Sequence, residues 1–138
     1  MAAVEVDLTK VVEFADARRF YAWLETHHAV QDSIWVRIHK RSSGTPTVTP
    51  EQATRMALCW GWIDGHRKAL DATSFLQRYS RRRPGSNWSV LNARAVWHLI
   101  ETGEMRPAGL AAAHRAIEGR KWPQDVPPVP PSPTSATA

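Results

Sequence analysis

The stretch TPEQATRMALCWGWIDGHRKALDATSFLQRY, Thr49–Tyr79, decides how this chain is organised. Thr49 is suited to cap a helix, Pro50 fits its first position, and Gln52 stands at the capping-box spacing. Ala53, Met56, Ala57 and Trp60 continue an apolar helical face, and Gly61 is a natural stop. Two extended arms follow, Trp62 to Leu70 and Ser74 to Tyr79, turning around Asp71-Ala72-Thr73. We read them as a β-hairpin, with helix as the competing reading.

Further strands and helices lie to either side. Val11 to Phe14 reads as a short strand, and Asp16 then offers an N-cap for a helix through Phe20, Trp23 and Leu24. Ser33 to Lys40 alternates Ile34, Val36 and Ile38 with Trp35, Arg37 and His39, the period of a strand with two different faces, and Ser42 to Pro46 follows as a loop. Pro84-Gly85-Ser86-Asn87 breaks the chain, so that Ser86 or Asn87 can cap a helix carrying Leu91, Ala95, Trp97, Leu99 and Ile100 up to Gly103. A last helix begins at Met105–Leu110, passes Ala113 and Ile117 and ends near Gly119. The expected architecture is a single α+β domain over residues 1–122, with a small antiparallel sheet and about four helices. From Pro123 to Ala138 the composition turns to Pro, Ser, Thr and Ala, which predicts a disordered tail.

At 138 residues, 43% hydrophobic and 22% charged, the chain has the size and composition of one globular domain. No apolar run approaches the ~20 residues that span a bilayer, so no membrane role is expected. A lone cysteine, Cys59, allows no internal disulfide, and the acidic, interrupted N-terminus lacks a signal-peptide pattern; both place the chain in the cytoplasm. The net charge of +5 comes largely from Arg, an excess too modest to argue for nucleic acid.

The unusual chemistry is concentrated between Cys59 and Trp88. Arg78, Arg81 and Arg82 offer forked donors for a carboxylate or phosphate, while Trp62, Tyr79 and Trp88 offer rigid aromatic walls. That combination suits a small aromatic or anionic ligand. Asp64 follows two Trp, and in an extended segment His66 would project to the same side, so the two could act as an acid/base pair. The competing reading of Asp64 is a turn residue or an ion-pair partner of Arg78 or Arg82. Asp64, His66 and Asp71 lack a metal-ligand spacing, and neither a serine triad nor a glycine-rich nucleotide loop is present, so no metal or cofactor is expected. Cys59, at an apolar helix end, reads as a buried hydrophobe.

Gly61-Trp62-Ile63-Asp64-Gly65, Phe75-Leu76-Gln77-Arg78, Arg81-Arg82, Ser86-Asn87-Trp88-Ser89, Asn92 and Gly103-Glu104-Met105-Arg106-Pro107-Ala108-Gly109-Leu110 stand in an order and spacing that resembles the YdeI/OmpD-associated family over residues 12–122. The resemblance implies a role in bacteriocin protection or antimicrobial resistance, and it adds Asn92 to the ligand-binding candidates. Tyr79-Ser80 departs from the Phe-Thr common in that family, which adds a phenol. The chain also passes from Trp122 straight into the proline-rich segment, where the family often has a short aromatic one. The expectation is a small-molecule-binding protein that protects by capture. The alternatives are a cofactor-independent enzyme using Asp64 and His66, and a nucleic-acid or protein interaction module.

Overall fold

The computed structural model describes residues 6–130. In chain order the elements are β1 (Val11–Glu13), α1 (Ala17–His27), β2 (Ser33–His39), α2 (Pro50–Cys59), β3 (Trp62–Ala69), β4 (Ser74–Arg81), α3 (Val90–Glu101) and α4 (Pro107–Glu118). The capping residues read from the sequence are in place for α1 and α2. Asp16 accepts the Arg19 N–H, and Thr49 and Gln52 form both halves of the capping box.

The four strands form one sheet in the order β1-β2-β4-β3. The β3–β4 hairpin and the β2–β4 pair are antiparallel, but β1 joins β2 in parallel, so the sheet is mixed rather than wholly antiparallel. The cause is topological: α1 carries the chain back over the sheet, and such a crossover delivers the next strand in the same direction. Ile34, Val36, Ile38, Trp62 and Tyr79 face a core built with Phe20 and Leu24 of α1, Ala53, Met56 and Ala57 of α2, Val96 and Leu99 of α3, and the small residues of α4.

Two glycines set the helix packing that shapes the clefts described below. Gly61 has φ +80°, the left-handed conformation that ends α2. Gly109 lets α4 lie against the end of α2, since a Cβ there would stand 2.3 Å from the Cys59 carbonyl oxygen.

Two further expectations are corrected. The cap of α3 is Ser89, whose hydroxyl accepts the Asn92 N–H at 3.1 Å, and not Ser86 or Asn87. Ser86 instead donates to the Arg83 carbonyl within its own turn, and the Asn87 carbonyl is taken by Arg82. The proline-rich segment is ordered through Pro130. Val126 and Val129 are buried, the Trp97 and Trp122 indole N–H groups donate to the Pro127 and Val126 carbonyls at 2.8 and 3.1 Å, and His114 Nε2 lies 2.7 Å from the Pro130 carbonyl. Prolines supply no N–H, but their carbonyls accept well, and two valines are enough to anchor the strap. The rest of the expected tail, 131–138, lies outside the described residues.

Candidate functional site

The hairpin does not present its polar residues in simple alternation. Asp64 pairs with Tyr79 and Arg67 with Gln77, so three residue steps on β3 match two on β4, which is a β-bulge at Gly65-His66. The buried Gln77 side chain fills it, donating to the Gly65 carbonyl at 2.8 Å and the His66 carbonyl at 3.2 Å while accepting from Arg67 Nε at 2.9 Å. The bulge interrupts the two-residue alternation on which an Asp64–His66 pair depends, and both side chains are exposed. No hydrogen bond joins them among the described residues, and Asp64, His66 and Asp71 form no metal-binding group there.

The aromatic candidates are mainly core. Tyr79 and Trp62 are 0% and 1% exposed, and Trp62 meets Trp23 edge-on at 5.8 Å. Trp88 is buried between Trp122 and the Arg82 guanidinium. The three arginines part company. Arg78 pairs across the sheet with Trp35, on the face away from the core. Arg81 is committed to the fold: its Nε donates to the His28 and Gln31 carbonyls and its Nη2 to that of Ala29, fastening the turn after α1.

Arg82 is different. It is only 9% exposed, and its guanidinium lies 3.9 Å over the Trp88 ring. Nη2 donates to the Asn87 carbonyl at 2.7 Å, whereas Nε and Nη1 are buried without a partner. Burial lowers the pKa of this group to about 10, opposed by the charge of Asp64, so it remains a cation at neutral pH. No ion pair holds it among the described residues, and buried guanidinium groups are ordinarily paired.

Arg82 lines a cleft of about 290 Å³ with His28, Trp60, Trp62, Arg81 and Arg115. The Trp60 indole N–H is also buried without an acceptor. Every ionisable side chain of this cleft is basic or imidazole, and three side-chain nitrogens of its lining residues, Trp60 Nε1 and Arg82 Nε and Nη1, lack partners among the described residues. Arg115 was not apparent in the sequence as a candidate, although one signal exists. Ala108, Ala111 and Arg115 follow a helical i, i+3, i+7 stripe, small residues leading to a cation on one face of α4.

The other candidates, Asp64 and Asn92, lie in a second cleft of about 430 Å³ between α2, β3 and the start of α3, together with Glu51, Thr54, Arg55 and Leu58. Cys59 lines neither cleft, and burial pushes its thiol pKa up to about 12, so it stays protonated and poorly nucleophilic.

The molecule is thus a single-domain α+β protein with a mixed four-stranded sheet, and no helix among the described residues is long and apolar enough to cross a membrane. The chain belongs to the family described as Domain of unknown function DUF8412, whose model matches residues 12–112. That span runs from β1 into α4 and includes Arg82, Asp64 and Asn92. No curated protein and no solved structure matches the chain.

Proposed function

We propose that this protein captures a small anionic ligand with an aromatic or otherwise flat apolar body in the cleft of Arg82, Arg115, Trp60 and Trp62. The observation that carries this reading is the Arg82 guanidinium, buried and cationic with two nitrogens lacking acceptors. A ligand carboxylate or phosphate oxygen supplies the acceptors that the protein does not, in a site where low dielectric strengthens the bond. Arg115 and His28 add donors, and Trp60 and Trp62 line the cleft from the end of α2 and the start of β3. Arg78, Tyr79 and Trp88 fall outside this cleft, with Trp88 acting through Arg82. The resemblance to the YdeI/OmpD-associated family supplies the setting, in which capture of an antimicrobial natural product protects the cell.

The test is calorimetric titration of the full chain with benzoate and phenyl phosphate, using benzamide as the neutral comparator. Saturable binding of an anion at one per chain, lost in Arg82→Met and with the ligand recovered unchanged by mass spectrometry, is the expected result. Equal binding of benzamide, or an Arg82→Met variant that binds the anions as wild type does, rejects the reading. Conversion of ligand present in molar excess would replace capture by catalysis.

A further inference from the structure

The proline-rich strap carries a short repeat, Val126-Pro127-Pro128 followed by Val129-Pro130-Pro131. The domain grips it with the same spacing. Val126 and Val129, three residues apart, are the buried side chains of the strap. The carbonyls of Pro127 and Pro130, also three apart, are the ones taken by α3 and α4: Trp97 Nε1–H donates to the first at 2.8 Å, and His114 Nε2 lies 2.7 Å from the second. A carbonyl only accepts, so His114 carries its proton on Nε2. Trp122, just beyond α4, adds its indole N–H to the Val126 and Pro127 carbonyls at 3.1 and 3.2 Å. Three residues per turn is the period of a polyproline II helix, whose carbonyls are free for external donors. Indole donors on proline carbonyls, with apolar side chains seated at every third position, form a groove that reads an extended proline-rich segment.

The hinge that leads into the strap is strained. Arg120 has φ 58°, the one positive value outside glycine among the described residues. The Arg120 N–H donates to the Ile117 carbonyl at 3.2 Å and the Lys121 N–H to the Ala116 carbonyl at 2.8 Å, the pair of bonds that closes a helix over a left-handed residue. Glycine is usual at that position, but Gly119 stands one residue too early, with φ −83°. The strap folds back on its own domain only while Arg120 keeps this conformation.

We infer that the groove of Trp97, His114 and Trp122 is an interaction surface for a second copy of this chain, the two copies exchanging residues 123–130. The fit needs no new complementarity, since the groove already holds this segment. Exchange preserves every strap contact and lets the hinge extend, which releases the strain at Arg120. A foreign proline-rich segment would have to displace a matched one and would leave that strain in place. None of these residues lines the anion cleft, so the inference stands apart from the capture reading.

The experiment is light scattering of the full chain over a range of concentrations, for wild type, Arg120→Gly and Arg120→Pro. Proline cannot adopt a positive φ, so Arg120→Pro should pair at lower concentration than wild type, whereas Arg120→Gly should need roughly tenfold more protein than wild type to pair. In the Arg120→Pro dimer the Trp97 indole N–H resonance should keep its wild-type position, because the partner's strap fills the groove. Adding Val126→Ser and Val129→Ser to that variant, or an excess of a peptide of residues 123–131, should return it to monomer. A folded Arg120→Pro chain that stays monomeric overturns the inference, even where it takes the peptide, as does a dimer that survives the valine substitutions. Should Arg120→Pro not fold, wild type against Arg120→Gly decides: equal dimer content at every concentration, including none, refutes exchange.

Discussion

Arg82→Met should leave the protein as stable as wild type, or more stable, although it removes a side chain only 9% exposed. Two guanidinium nitrogens are buried without acceptors. At about 1–3 kcal/mol for each unsatisfied group, deleting them relieves roughly 2–6 kcal/mol. The losses are the charge-assisted bond to the Asn87 carbonyl, about 1.5–3 kcal/mol, and the stack over Trp88, about 1–2 kcal/mol. Asn87 is exposed, so water can take over its carbonyl, and a Met of similar length keeps the contact with the indole. The balance lies near zero, with a gain of about 1–2 kcal/mol within reach. Truncating one partner of a buried ion pair would instead cost about 3–5 kcal/mol. Urea unfolding measures the difference directly, as a change in midpoint at constant slope. A loss above ~3 kcal/mol would show that the native fold already satisfies Arg82, and the case for an anion-seeking site would fail. The same experiment with benzoate adds a second check. At ten times its Kd the ligand should raise wild-type stability by about 1.4 kcal/mol and leave the variant unmoved.

Three other outcomes follow from the structure. Ser89→Ala should cost about 1 kcal/mol in urea unfolding by uncapping α3, whereas Ser86→Ala should stay within about 0.5 kcal/mol, because Ser86 serves only its own turn. Ending the chain at Trp122 should lower stability by about 2–4 kcal/mol relative to ending it at Pro130, from the loss of buried Val126 and Val129, as thermal unfolding would register. The Asp71 carboxylate, held first by the Ser74 hydroxyl and then by the Thr73 N–H, has its pKa lowered from 3.8 to about 2. Its contribution to stability is therefore present above about pH 4 and lost as pH falls through 2; carboxyl NMR titration should find that midpoint, and Ser74→Ala should raise it.

The fold was legible wherever the information is local. Thr49, Pro50 and Gln52 announce α2 within four residues, Asp16 announces α1, and the Ile34, Val36, Ile38 alternation identifies a strand with one buried face. Two features depended on partners distant in sequence. The parallel β1–β2 pairing is a property of the α1 crossover rather than of either strand. The order of residues 123–130 depends on Trp97 and Trp122, whose indole N–H groups find the carbonyls of this strap. A proline-rich composition reports poor helix and strand formation, and is silent about whether a neighbouring surface can accept it.

The candidate site was legible only as a cluster of residue types, for the same reason. An aromatic and Arg-rich segment is visible in the sequence, but residue type alone cannot separate Arg81 from Arg82. The two are adjacent in sequence and opposite in circumstance. The end of α1 happens to place three carbonyls within reach of Arg81, which consumes its donors in holding the chain together. Arg82 meets an indole face and one carbonyl, so its charge is buried with donors left over. Likewise the bulge filled by Gln77 separates Asp64 from His66, and Asp64 lines a cleft with α2 and Asn92 rather than the cleft lined by Arg81 and Arg82. A segment that reads as one site in sequence therefore contributes to two clefts of opposite charge, because neighbouring strand residues face different helices. The useful distinction within such a segment is between donors that the fold consumes and donors that it leaves unspent. Ligand chemistry belongs to the second kind, since only a group without an internal partner gains by meeting an external one.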